Sequence, residues 1–151
     1  MSHVLTADGG TESLRVRIYD LDGRCVASHA EPYETKFMAG ARAEQNAEDW
    51  WSSLVTATQI CLKEANISGD AIDAMAYATT CCTVVALDKN GAPLRPALMW
   101  MDVRADKEAE AVLETGDQRL ILNGNGQGPV SAGMDDPKGA VAEAERAKNI
   151  R

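Results

Sequence analysis

The stretch VLTADGGTESLRVRIYDLDGRCVAS, residues 4–28, decides the fold. At its centre Leu14, Val16 and Ile18 alternate with Arg15, Arg17 and Tyr19, the period of two of a half-buried strand. A strand is therefore expected over 13–20, between a first over 3–7 and a third over 25–32. Asp20-Leu21-Asp22-Gly23 joins the second to the third, and Gly23 can take the positive φ that a tight turn requires. The join between the first two is different. Asp-Gly-Gly-Thr-Glu-Ser exceeds the two-residue loop that suffices for a hairpin, and it carries a carboxylate, two glycines and two hydroxyls. Backbone amides of a Gly-rich turn form a concavity for anions. Asp8 beside it can hold Mg²⁺ through water, and Arg15 offers a cation to a phosphoryl oxygen. The loop thus reads as a phosphate loop. A solvated hairpin loop is the other reading these residues allow.

Bulk properties narrow the class. A chain of 151 residues is one domain by length, with 45% apolar and 25% charged residues as in ordinary globular proteins. Its net charge of −8 repels a nucleic-acid backbone, so no nucleic-acid partner is expected. No apolar run is long enough to span a bilayer, and the N-terminus lacks the pattern of a signal peptide, so neither a membrane nor secretion is expected. Cys25, Cys61, Cys81 and Cys82 lack the paired spacing of a zinc site. Reduced thiols in a cytoplasmic protein are the expectation.

Beyond residue 32 a loop, YETKFMAGARAEQ, leads to the clearest helix, expected from 46 to 66. Asn46 can cap it, and Glu48 and Asp49 suit its positive end. Trp50 and Trp51 are expected to anchor it in the core, with Leu54, Ala57, Cys61 and Leu62 continuing the apolar stripe. Strands are expected over 73–80 and 83–88, an extended stretch over 96–100, and a second helix over 103–116, with Asp102 placed to cap it. Three strands, helix, strand, strand, helix describe a mixed α/β fold with a helix-covered sheet. The turn-rich 124–139 precedes a polar, Ala-rich helix expected over 140–151.

Three ordered motifs then bear on function. ADGGTESLR supplies Asp8, Gly10, Thr11 and Ser13; AEQNAEDWW supplies Glu44, Gln45, Trp50 and Trp51; LRPALMWMDVRA runs from Leu94 to Ala105. Together they resemble the N-terminal half of the FGGY family of carbohydrate kinases. ATTCCTVVALD (78–88) and NGNGQGPVSA (123–132) look most like the pentulose branch, the ribulokinases and xylulokinases. The resemblance implies an actin-like, ribonuclease-H-like lobe over residues 1–132: a mixed sheet with an N-terminal β-hairpin phosphate loop and flanking helices. Residues 133–151 are expected to form a divergent polar helical tail.

It also implies a chemistry, ATP-dependent transfer of the γ-phosphate to a sugar hydroxyl, with ATP and Mg²⁺ as cofactors. Asp8 then lies near Mg²⁺ and the phosphoryl group, Gly10, Thr11 and Ser13 line the loop, and Arg15 neutralises charge. Positioning and charge neutralisation dominate such a reaction, which explains these residue types. The sugar side is expected at Thr80, Cys81, Cys82, Trp100 and Asp102, with Arg104 holding the loop by an ion pair. Xylulose kinases resembling this chain carry a Met-His pair where Cys81 and Cys82 stand, a departure that leaves other ketoses and polyols open. For the two cysteines, buried core thiols and substrate contacts are both open readings. No catalytic residue is assigned within the chain. The aspartate general base and the adenosine-binding C-terminal lobe are expected beyond Arg151, so the isolated chain is expected to be inactive. The missing lobe is expected to leave an apolar face exposed, favouring self-association. The alternative is a non-catalytic module, derived from such a kinase, that binds sugar, phosphate or a partner. A lobe of another actin-like ATPase would have no use for WMDVRA or AEQNAEDWW.

Overall fold

The computed structural model describes residues 2–117 and 119. In chain order the elements are β1 (His3–Gly9), β2 (Ser13–Asp20), β3 (Cys25–Pro32), β4 (Lys36–Met38), β5 (Arg42–Gln45), α1 (Ala47–Ala65), β6 (Ile72–Thr79), β7 (Ala97–Leu98) and α2 (Asp106–Glu114). They fall into two compact units: residues up to 35 with 46–80, and residues 36–45 with those from 81 onward.

The first unit is a four-stranded sheet in the order β3-β2-β1-β6. The β1–β2 and β2–β3 pairs are antiparallel, and β6 runs parallel to β1. Alternation sorts the side chains as the sequence predicts. Leu5, Ala7, Leu14, Val16 and Ile18 are buried on one face, where α1 lays Ala57 and Cys61 against them. Asn46 caps α1 through a bond from the Glu48 amide at 3.3 Å, and Asn66 closes it in the left-handed conformation at φ 53. The buried stripe is Ser53, Ala57 and Cys61, with Leu54 and Leu62 packed beside it. Trp51 does not join the core: it is 66% exposed, because it sits on the far side of the helix from Ala57 and Cys61. At the second hairpin, Asp20 accepts the Asp22 and Arg24 amides at 3.1 and 2.9 Å, and Gly23 takes φ 81.

The second unit departs further from expectation. Within the expected loop, β4 and β5 form a hairpin around Gly40 (φ 79) and Ala41 (φ 52), and β7 pairs with β5. The strand expected over 83–88 reduces to two bridges, Val84–Leu98 and Leu87–Pro93. Its end is turned by Asp88, whose carboxylate accepts the Asn90 and Ala92 amides at 2.7 and 2.9 Å. The extended stretch expected over 96–100 forms a strand at Ala97–Leu98, both buried with Met99. The second helix begins later than expected, at Asp106. Gly116, at φ 66, follows its end. The segment 123–132, the boundary expected after 132 and the tail helix lie outside the described residues.

Candidate functional site

β1 runs two residues further than its apolar pattern indicates, so Asp8 stands in the strand rather than in the loop. Its register partner is Arg15 on β2. Directly opposed residues of an antiparallel pair project from the same face. Asp8 and Arg15 are both exposed, on the face opposite α1. The turn is tighter than expected: Gly10 donates its amide to the Ser13 carbonyl at 3.0 Å, leaving Thr11 and Glu12 at the tip.

The loop is clamped from both sides. From the β3 side, the Tyr33 hydroxyl donates to the Gly10 carbonyl, and the Tyr33 amide donates to the Glu12 carbonyl at 3.1 Å. Burial pushes the Tyr33 phenol up to about 12, and the neighbouring Tyr77 and Asp8 push the same way. From the β6 side, the Thr79 hydroxyl and the Thr80 amide donate to the Gly9 carbonyl at 3.3 and 3.2 Å. A Cβ on Gly9 would stand 2.9 Å from the Tyr77 hydroxyl and 3.2 Å from the Thr79 hydroxyl. Glycine there admits both neighbours. The geometry thus gathers Asp8, Gly10, Ser13, Arg15 and Thr80 at one end of the sheet. Thr80, expected on the sugar side, is tied by its backbone to the loop.

In the second unit the motif residues converge on a buried charge network. Asp102 is fully buried and accepts from the Ala43 amide at 2.7 Å, the Arg104 amide at 3.0 Å and the Arg104 guanidinium at 2.7–3.0 Å. Arg104 also meets Glu44 at 2.9 Å, and Glu44 meets Arg95 at 2.6 Å. Burial alone would raise the Asp102 carboxyl, but the bonds from Arg104 and Ala43 outweigh it and hold the pKa below its ordinary value. The same network raises Arg104 against the opposing effect of its own burial. Asp102 therefore braces β5 against the WMDVR turn. It does not cap α2, whose N-cap is Ala105. Both its oxygens are engaged, so the expected contact with a sugar has no oxygen exposed to make it. The sequence alone pairs Arg104 with the loop but misses Glu44 and Arg95 as members. No local pattern marks Glu44, which stands among Gln45, Asn46, Glu48 and Asp49; Arg95 does stand out, as a guanidinium ahead of the apolar run from Pro96 to Met101.

That brace positions Trp100, which is 45% exposed within a turn closed by the Asp102 amide on the Met99 carbonyl at 2.9 Å. Cys81 is exposed and Cys82 half-buried. The Val84–Leu98 bridge places Cys82 and Trp100 each two residues away, on the same side of the bridge. Among the described residues no group of three His, Cys, Asp or Glu side chains is placed to hold a metal ion. Nor is any described helix long and apolar enough to cross a membrane.

Known proteins resemble the chain in sequence and in fold. Residues 3–132 match the model of the FGGY family of carbohydrate kinases, N-terminal domain. The chain is 33% identical over 117 residues to a glycerol kinase of Acinetobacter baylyi, covering 77% of this chain and 24% of that protein. It is 27% identical over 121 residues to a xylulose kinase of Lactococcus lactis, covering 80% and 24%. Among solved structures, a xylulose kinase from Brucella ovis superposes with a TM-score of 0.83 at 21% identity, over 97% of this chain and 30% of that one. The glycerol kinase of Plasmodium falciparum with ADP gives 0.77 at 20% identity, over 91% and 28%. The fold is thus the actin-like, ribonuclease-H-like lobe that the motifs imply. The chain spans about a quarter of the length of the curated relatives it matches.

Proposed function

We propose, because the chain belongs to the FGGY family of carbohydrate kinases, that it is the N-terminal part of an enzyme transferring the γ-phosphate of ATP to a hydroxyl of a small sugar or polyol. The observation that carries this reading is the clamped hairpin at the end of β1, with Asp8 and Arg15 as opposed partners beside it. Gly10, Thr11 and Ser13 line the loop, and the bonds to the Gly9 and Gly10 carbonyls fix its backbone before any ligand arrives. Such preorganisation is what an electrostatically driven transfer requires.

Asp8 fits Mg²⁺ as one carboxylate on an open face, since that ion keeps several waters and takes its other ligands from phosphates. When bound there, the ion neutralises phosphate charge. Arg15 holds a second positive charge on the same face. Thr80, Cys81, Cys82 and Trp100 are assigned to the sugar side, Trp100 as an exposed apolar platform and Asp102 as the brace that sets it. A pentulose is the narrower reading of the substrate, and it rests on the resemblance of 78–88 and 123–132 to that branch. The similar proteins carry both glycerol and xylulose kinase names.

ADP release by the full-length protein with D-xylulose, L-ribulose and glycerol, each with Mg-ATP, tests the reading. Turnover with one of the three, lost in Asp8→Ala, is the expected result. Turnover with none of them, or an unaffected Asp8→Ala, overturns it.

A further inference from the structure

Successive side chains of extended backbone point to opposite sides. Cys81 and Cys82 break that rule. Cys82 stands in the left-handed region at φ 57, and the two sulfurs lie 3.8 Å apart. The left-handed region is disfavoured for a residue with a Cβ, so this is a specific local arrangement rather than the default path of the chain. Cys81 is exposed and Cys82 half-buried.

The separation is close to that of a chelate. Two thiolates bound at about 2.3 Å to one centre lie roughly 3.3 Å from each other when the centre is pyramidal and roughly 3.8 Å when it is tetrahedral. Structural zinc takes four protein ligands, and among the described residues no third His, Cys, Asp or Glu joins this pair. A centre held by these two thiolates alone brings its own remaining substituents, and thiolate pairs select soft centres.

We propose that Cys81 and Cys82 form a chelating dithiol for a thiophilic centre that needs two protein thiolates only, with monosubstituted trivalent arsenic as its defining ligand class. An arylarsenic(III) dihydroxide exchanges both hydroxides for sulfur: two As–S bonds form, two As–O bonds break, and the two thiol protons leave in two waters. Arsenic and sulfur keep their oxidation states. The remaining thiols differ in kind. Cys61 is buried between the sheet and α1, and burial pushes its thiol up. Cys25 is exposed, with its thiol donating to the Ala27 carbonyl at 3.3 Å. The dithiol follows from sulfur geometry and is independent of the kinase reading.

The test is intact-mass spectrometry of the reduced chain with phenylarsine oxide, followed by peptide mapping. A single adduct is expected on the peptide holding Cys81 and Cys82, with a parallel loss of about two titratable thiols. It should resist excess 2-mercaptoethanol and be removed by 2,3-dimercaptopropanol. Cys81→Ser and Cys82→Ser should each weaken binding roughly tenfold or more, while Cys25→Ser leaves it unchanged. An adduct mapped elsewhere, or one that a monothiol strips from the wild-type chain, overturns the proposal. Both of those outcomes are read on the wild type, so they hold however the variants fold.

Discussion

Asp8 and Arg15 are register partners across β1 and β2, so an acid and a base stand on one open face beside the clamped turn. Neither packs in the core. Their substitution should therefore separate chemistry from stability. Surface changes stay within about ±0.5 kcal/mol, whereas loss of a charge placed for phosphoryl transfer costs roughly 100-fold or more in rate. Asp8→Ala and Arg15→Ala in the full-length protein should keep wild-type melting temperatures and lose turnover, Asp8→Ala the more severely. A large fall in melting temperature would assign the pair to the fold instead.

Tyr33 is the clamp on the β3 side, and its ionisation gives the clamp a pH signature. With the folded pKa pushed up to about 12 from an ordinary value of 10.0, the native state keeps the proton longer than the unfolded chain. Its contribution is complete below pH 10 and is lost as pH rises through 12. Tyr33→Phe removes the bond to the Gly10 carbonyl and should cost about 1–2 kcal/mol at neutral pH. In urea titrations, the gap between wild type and variant should narrow from pH 10 upward. A gap constant to pH 12 would show that the phenol is unperturbed.

The first unit was legible because its signals are local. Leu14, Val16 and Ile18 alternate, Asn46 caps, and Gly23 turns. The second unit is built from non-local bonds, which leave little trace in a short window. Phe37 and Met38 are exposed in β4, so no alternation announced the hairpin. Thr83 to Leu87 has the β-branched content of a strand, yet the Asp88 side chain captures the following amides and ends the pairing after two bridges. Asp102 sits where a cap is expected, but its partner Ala43 is 59 residues away. Of the candidate site, the residue types of the loop were readable. That Asp8 lies within β1, and that Tyr33 and Thr79 secure the turn, depend on strand register and neighbouring strands.

Asp102 should be the costliest single position in the second unit. Asp102→Asn keeps the shape but removes the charge that faces Arg104, and breaking a buried pair costs about 3–5 kcal/mol. Arg104 keeps Glu44, which favours the lower end of that range. Because the folded pKa lies below the ordinary 3.8, the charge contributes stability above that pH and loses it as pH falls further. Chemical denaturation should therefore show a gap between wild type and variant that is full at pH 7 and shrinks below pH 4. A gap that persists undiminished through acid would place the cost in packing rather than in the ion network.

β6 is one of the two edge strands of the first unit's sheet. Among the described residues it pairs with β1 alone. Its segment Ala74–Ala78 carries no charge and no proline, and Met75 and Tyr77 are 52% and 51% exposed. The helix packs chiefly across β2 and β3, and of β6 only Ile72 packs against that core. A long, uncharged edge with apolar side chains is a template for another strand. The 151-residue chain should self-associate through it, and Met75→Lys, a charge on the edge, should return it to monomer. Sedimentation velocity across a concentration series reads both outcomes. A wild-type chain that stays monomeric at roughly 100 μM, where contacts of even millimolar strength begin to register, would show that the edge is already protected. Association unchanged by Met75→Lys would move the contact to another surface.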